Sequence, residues 1–209
     1  MKDTNKLINY SFFHWGPFLY KTSLTKEEVI LIKKLCSKES PDYRKSLAGL
    51  IKQEHKIDVK KLFPIISPYM KSYVQAYSDY APQILANKIE LKSSWVNYMT
   101  KFESNPLHTH DENLSFVIFI QVPKNLKEEY NKTHSPTSKP GTINFVYTLG
   151  IEEFNINKHS FFPEVGDFYI FPASLHHYVN SFQSNGERIS VSGNLKTIKL
   201  YKKKKGKND

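Results

Sequence analysis

Past residue 85 the chain takes the period of short strands, some alternating like NKIELKSSWVNYM and some, like LSFVIFIQV, apolar runs of buried-strand length, broken by Gly, Pro, Asn and Ser. NKIELKSSWVNYM, LSFVIFIQV, GTINFVYTLG, FNINKHSFFP, GDFYIFP, HHYVNSF and RISVSGNLKTIKLY follow one another in this way. A period of two places alternate side chains on opposite faces of a strand. Short strands with turn signals between them predict a sandwich or jelly roll. One polar connection is long: PKNLKEEYNKTHSPTSKPG, residues 123–141. A loop of that length reads as a lid, a binding loop or a disordered segment.

The first third has a different period. SLTKEEVILIKKLCSK places Thr25 three residues before Glu28, the capping-box spacing, ahead of Val29, Ile30, Ile32 and Leu35. SPDYRKSLAGLIKQEH (40–55) reads as a second helix with Pro41 in its first turn. IISPYMKSYVQAYSDYAPQIL (65–85) reads as a third, with Tyr69, Tyr73, Tyr77 and Tyr80 at helical spacing as a core stripe. The expected class is therefore α+β, mainly β. A helical part, 1–84, packs on a β core, 85–201, and a basic disordered tail, 202–209, follows.

Composition narrows the setting. The chain has 209 residues, enough for a substantial core. No apolar stretch reaches the ~18 residues of a membrane span, and the start lacks the apolar segment of a signal peptide. Cys36 is the single cysteine, so no intrachain disulfide forms, which fits a cytoplasmic setting. Nothing nearby would activate its thiol. Net charge is +10, which raises the prospect of an acidic or nucleic-acid partner. Yet 28 of the 30 basic residues are lysine, and nucleic-acid readers lean on arginine. The two arginines, Arg44 and Arg188, stand out for that reason.

Four of the eight histidines fall in two clusters, His108 with His110 and His176 with His177. His108 and His110 sit two apart at the mouth of the run Phe116–Ile120, where residues i and i+2 of a strand share a face. His177 follows GDFYIFP. Arg188 opens ERISVSGN, where alternation sets Arg188, Ser190, Ser192 and Asn194 on one face and Ile189 and Val191 on the other. Unpaired polar groups inside a barrel are costly, so a bound anion is their natural partner. A guanidinium fork matches a carboxylate bidentately and a serine hydroxyl adds a third bond. His14, His55 and His159 read as packed or solvated residues, His134 as an exposed loop histidine, and His176 as a neighbour of His177 that stands behind the site or is exposed.

SSWVNYM…NPLHTHDENLSFVIFIQVP, GDFYIFPASLHHYVNSF and ERISVSGN together resemble the Fe(II)/2-oxoglutarate-dependent oxygenases encoded in many marine phage genomes, and FFHWGPFLYKTSL and YRKSLAGLIKQE share the likeness. It covers most of the chain. It implies a double-stranded β-helix, cupin-like, holding non-haem iron. It implies Fe(II) as metal, 2-oxoglutarate as co-substrate, O2 as oxidant, and a hydroxylated product with succinate and CO2. The distal carboxylate of 2-oxoglutarate would meet Arg188 and Ser190, with Asn97 touching the co-substrate from the same face as Trp95. The usual ligand pattern is His-x-Asp/Glu, and this chain has His-x-His. Two ligand sets follow: His108, His110 and His177, or His110, Glu112 and His177 with His108 behind them. Three other functions are compatible with the sequence: a cupin-like metal protein without co-substrate, a basic binding module, or an oxygenase fold that has lost its metal. The substrate is unspecified, and a homodimer is one expected assembly.

Overall fold

The computed structural model describes residues 16–80, 88–148 and 156–198. His14, the basic tail 202–209 and the extreme N-terminal part of the family likeness lie outside the described residues.

Strand β1 (Tyr20–Ser23) leads into helix α1 (Lys26–Leu35). Thr25 accepts from Glu28 N at its Oγ1, and the Glu28 carboxylate accepts from Thr25 N, so the expected capping box is formed. Cys36 closes the helix with its thiol donated to Ile32 O, and burial pushes that thiol up to about 12. It is inert at neutral pH, as its surroundings in the sequence suggested.

The helix expected over 40–55 does not form. A single 3-10 turn, Arg44–Ser46, is followed by extended chain and by strand β2 (Glu54–Lys56). Asp42 accepts from both Arg44 N and the Arg44 guanidinium. This Asx-type turn competes with a helical start, and Gly49 leaves room that the Glu54 carboxyl fills: a Cβ at Gly49 would lie 2.7 Å from Glu54 Oε1.

Helix α2 (Val59–Tyr80) begins earlier than its periodicity suggested and carries Pro64 and Pro68 inside it. One carbonyl so freed, Pro64 O, accepts from Ser67 Oγ. Its face Leu62, Ile66, Met70 and Tyr73 is buried. Tyr69 and Tyr73 belong to the core as the stripe implied, whereas Tyr80 is exposed.

The rest is strand, with one further helix: β3 (Lys88–Met99), β4 (Asn105–His108), β5 (Leu114–Gln121), α3 (Leu126–Lys132), β6 (Ile143–Val146), β7 (Lys158–Phe161), β8 (Asp167–Pro172), β9 (His176–Val179) and β10 (Arg188–Ile198). A six-stranded sheet runs β1-β8-β5-β10-β3-β2 and a four-stranded sheet β4-β9-β6-β7, all pairs antiparallel. The architecture is thus mainly β with few helices. Both edges of the large sheet come from the first third, which was read as helical packing alone.

Alternation along β5 and β10 divides two cores. One cluster joins α1 and α2 to Val96, Ile118, Ile170 and Val191 on the outer face of the large sheet. The other joins Met99, Phe119, Tyr169 and Phe171 to Ile143, Phe145 and Val179 of the small sheet and to Leu175 just before β9. The site lies between the sheets. No helix among the described residues is long and apolar enough to cross a membrane.

Candidate metal centre

His108 ends β4 and His177 lies on β9, and the two are direct partners in the β4–β9 register. Their ring centroids are 4.2 Å apart. His110 lies two residues beyond the strand end, so strand alternation alone does not aim it. Its backbone N–H donates to Ala173 O at 2.9 Å, which ties the turn to the residue that follows β8. The His110 ring then stands 5.0 Å from His108 and 5.1 Å from His177. One ligand atom from each of the three lies within 4.8 Å of the others, and the group could hold a metal ion.

Each ring is oriented by what surrounds it. His108 Nδ1–H donates to Pro106 O at 2.7 Å and His177 Nδ1–H donates to Leu175 O at 2.9 Å. A carbonyl accepts only from a protonated nitrogen, so Nε2 keeps the lone pair in both rings. Trp95 lies against His110 and Phe171 against His177. Burial lowers the pKa of all three, His110 to about 4 with help from His108 and His177 to about 3. They are neutral imidazoles at pH 7, the form that binds a metal.

Glu112 is not part of this three-histidine group. It lines an open polar cleft outside the group, with Lys45, Lys92, His108, His110 and Asn194. His176 is exposed, beside His177. His55 is satisfied by Ser40 O and Gln53 Oε1, and His159 stacks on Phe161 at the surface. His134 is exposed in the 123–141 connection.

The pocket under the histidines is lined by Trp95, Asn97, Phe119, Arg188, Ser190 and Ser192 among others. Arg188, Ser190 and Ser192 share one face of β10, as alternation predicted, opposite Met99, Asn97 and Trp95 of β3. Arg188 is 2 % exposed. It donates from Nη1 to Gly141 O at 3.0 Å and lies 5.4 Å from the Phe119 ring centre, while its Nε has no partner. Burial alone depresses its pKa, because no carboxylate among the described residues stands near to offset the loss of water. A guanidinium stays protonated even so, so the pocket holds an uncompensated positive charge. Asn97 donates to Ser190 Oγ and leaves its own Oδ1 unpartnered. These orphaned polar atoms fit an anion that brings its own acceptors and ordered water.

Sequence reasoning missed three contributors. Ile51 lines the pocket, and Lys45–Ala48 line the outer cleft, although both stretches were read as one helix. Gly141 holds Arg188 through its carbonyl. The Asp42–Arg44 turn and Gly49 were the signals available for the first two; a backbone carbonyl leaves no signal in sequence.

Residues 93–194 match a family model described as "Putative 2OG-Fe(II) oxygenase". No curated protein sequence matches the chain. A prolyl-4-hydroxylase of Pseudomonas putida is similar in structure with a TM-score of 0.54 at 14% identity, covering 87% of this chain and 93% of that one. A 2OG-Fe(II) oxygenase family oxidoreductase of Burkholderia pseudomallei has a TM-score of 0.55 at 12% identity, covering 87% and 85%. The viral collagen prolyl hydroxylase of Paramecium bursaria Chlorella virus-1, solved as a 2OG complex, has a TM-score of 0.51 at 12% identity, covering 86% and 96%. At such identities the likeness is one of fold.

Proposed function

We propose, from the match of residues 93–194 to a 2OG-Fe(II) oxygenase family model, that the chain hydroxylates a substrate with Fe(II) held by His108, His110 and His177. The observation that carries the reading is the joint placement, in one pocket, of three neutral imidazoles and one buried arginine that faces no carboxylate among the described residues.

When bound, iron with 2-oxoglutarate and O2 supplies the oxidation that inserts one oxygen atom into a substrate C–H bond, as 2-oxoglutarate becomes succinate and CO2. The protein's residues hold and orient the reactants. His108 and His177 through Nε2, with the His110 ring, would hold the metal, and a three-residue set would leave room for co-substrate and oxygen. Arg188 takes the distal carboxylate of 2-oxoglutarate, with the Ser190 hydroxyl as a further donor. Asn97 holds Ser190 in place by donating to its oxygen. Trp95, Phe119 and Phe171 keep bulk water away, which strengthens the ion pair. A three-histidine set adds no negative charge to the metal, and that makes the dianionic co-substrate the main source of neutralisation.

The alternative set, with Glu112 in place of His108, has less support, because Glu112 stands outside the close group. The double-stranded β-helix of this family suits the two-sheet architecture. Two of the fold relatives are prolyl hydroxylases by name, so a prolyl peptide is one substrate to assay. Likeness to phage-encoded oxygenases suggests a host cytoplasm as the place of action.

The test is anaerobic titration of the purified protein with Fe(II) and then 2-oxoglutarate, followed by the visible metal-to-ligand charge-transfer band. A band that Arg188→Ala weakens and His177→Ala abolishes is the expected result. Iron bound without any band would indicate a cupin-like protein that uses no 2-oxoglutarate, and no iron binding would overturn the reading.

A further inference from the structure

We infer that segment 123–141 is a support behind the co-substrate pocket, not a lid over its mouth, and that Gly141 is a positioning residue for Arg188. The inference rests on the proposed role of Arg188 in binding the distal carboxylate.

The Gly141 carbonyl is the one protein acceptor that the Arg188 head reaches among the described residues. Where that oxygen sits decides where the guanidinium sits. Gly141 has φ +67°, the left-handed region that glycine enters without cost. A Cβ there would lie 2.7 Å from Leu126 Cδ2, the second residue-level reason for glycine. Leu126 is fully buried and opens α3, so the helix inside the long connection acts as a backstop for Gly141.

The same segment fastens the backbone that carries Arg188. Gly141 N–H donates to Ser181 O. Asn180 Nδ2 donates to Lys139 O and to Thr142 Oγ1. The Glu129 carboxylate of α3 accepts from Gln183 N and Ser184 N at 2.8 Å each, and from the Ser184 hydroxyl. Residues 180–187 are the connection from β9 into Arg188 at the start of β10. Head and backbone of Arg188 are thus both held by 123–141. A lid would have to swing, and this segment is tied at four points to the chain that bears the anion-binding charge.

Fixing the guanidinium at one depth beneath the histidines makes the pocket a gauge of chain length. Only a 2-oxo diacid of matching length can reach the metal and Arg188 together. Oxaloacetate is one carbon shorter and 2-oxoadipate one longer. Pyruvate has the 2-oxo acid end and no distal carboxylate, so it reports on the metal end alone.

The experiment measures dissociation constants of these four acids by anaerobic charge-transfer titration of the Fe(II)-loaded full chain. The parent is expected to prefer 2-oxoglutarate over the other two diacids. Gly141→Ala is expected to weaken 2-oxoglutarate about tenfold or more, the loss for a displaced charge-assisted bond, with iron and pyruvate binding unchanged. Leu126→Ala in the Gly141→Ala background makes room for the new methyl and is expected to restore part of the loss. Glu129→Ala is expected to narrow the preference between the diacids. Parent-like 2-oxoglutarate binding by Gly141→Ala would overturn the inference, and so would equal loss of pyruvate and iron, the mark of general damage. Arg188→Ala separates the two readings. If it leaves 2-oxoglutarate affinity intact, the proposed co-substrate site itself fails; if it weakens binding and Gly141→Ala does not, the support alone fails.

Discussion

Asn97 and Ser190 face each other across the β3–β10 ladder, and Asn97 Nδ2 donates to Ser190 Oγ at 3.3 Å. The hydroxyl oxygen is thereby occupied as an acceptor, and its hydrogen is left to point at a ligand. Asn97→Ala and Ser190→Ala should each weaken 2-oxoglutarate about three- to tenfold, the cost of one hydrogen bond. Because the two act as a unit, the double variant should lose less than the product of the single losses. The same charge-transfer titration reads the cycle, and multiplicative losses would mean that Asn97 does not work through Ser190.

Iron content distinguishes the two ligand sets. His108→Ala, His110→Ala and His177→Ala are each expected to lose iron after anaerobic loading and desalting, because removing one of three ligands leaves an incomplete face. Glu112→Ala is expected to keep it. Metal analysis of the four desalted variants decides, and retention by His108→Ala with loss by Glu112→Ala would reverse the assignment.

A buried charge without a counter-ion trades stability for function. Arg188→Met keeps the length of the side chain and removes the charge, so the ligand-free variant should melt at or above the parent temperature. Saturating the iron-loaded parent at 100 times its Kd should add about 2.7 kcal/mol, a rise of about 5–10 °C for a chain of this size. Arg188→Met should show no such rise. Thermal unfolding with and without 2-oxoglutarate tests both halves, and a ligand-free variant that melts well below the parent would show that the charge is compensated in a way the geometry does not reveal.

The polar stripe on β10 and the histidine clusters were legible because their chemistry is written in residue type and in a period of two. The capping box of α1 was legible for a similar local reason. The helix expected over 40–55 failed because Asp42, Arg44 and Gly49 make a turn whose partner, Glu54, comes from the next element. His110 reaches the other histidines through a backbone bond to Ala173, a pairing no spacing rule predicts. The edge pairing of β1 with β8 spans most of the chain and that of β2 with β3 crosses the whole of α2, and sequence pattern is silent on partners so distant.

Glu54 offers a pH signature. It is 1 % exposed, both carboxyl oxygens lack partners, and burial, with the negative Asp42 and Glu103 nearby, pushes its pKa up to about 7. A carboxyl raised from 4.5 to about 7 is favoured in its neutral form by the fold. It follows that its stabilising share is complete below pH 4.5, falls as pH rises through 7, and stays lost above that. Glu54→Gln should remove this decline. Above pH 7 the variant should melt about 4–8 °C higher than the parent, the size expected for a buried unpaired charge, and the difference should vanish near pH 4.5. A difference in melting temperature that does not change with pH would refute the assignment.

The placement of β1 and β2 has a bearing on how the chain can be cut and how it is made. These two strands hem opposite borders of the large sheet, so a fragment trimmed to residues 93–194 would carry two raw borders of unpaired amides and carbonyls, open to any passing strand. Such a piece should clump where the longer chain stays dispersed. During synthesis the order is reversed: both hems leave the ribosome first and wait for β3 and β8 to appear before they have anything to border.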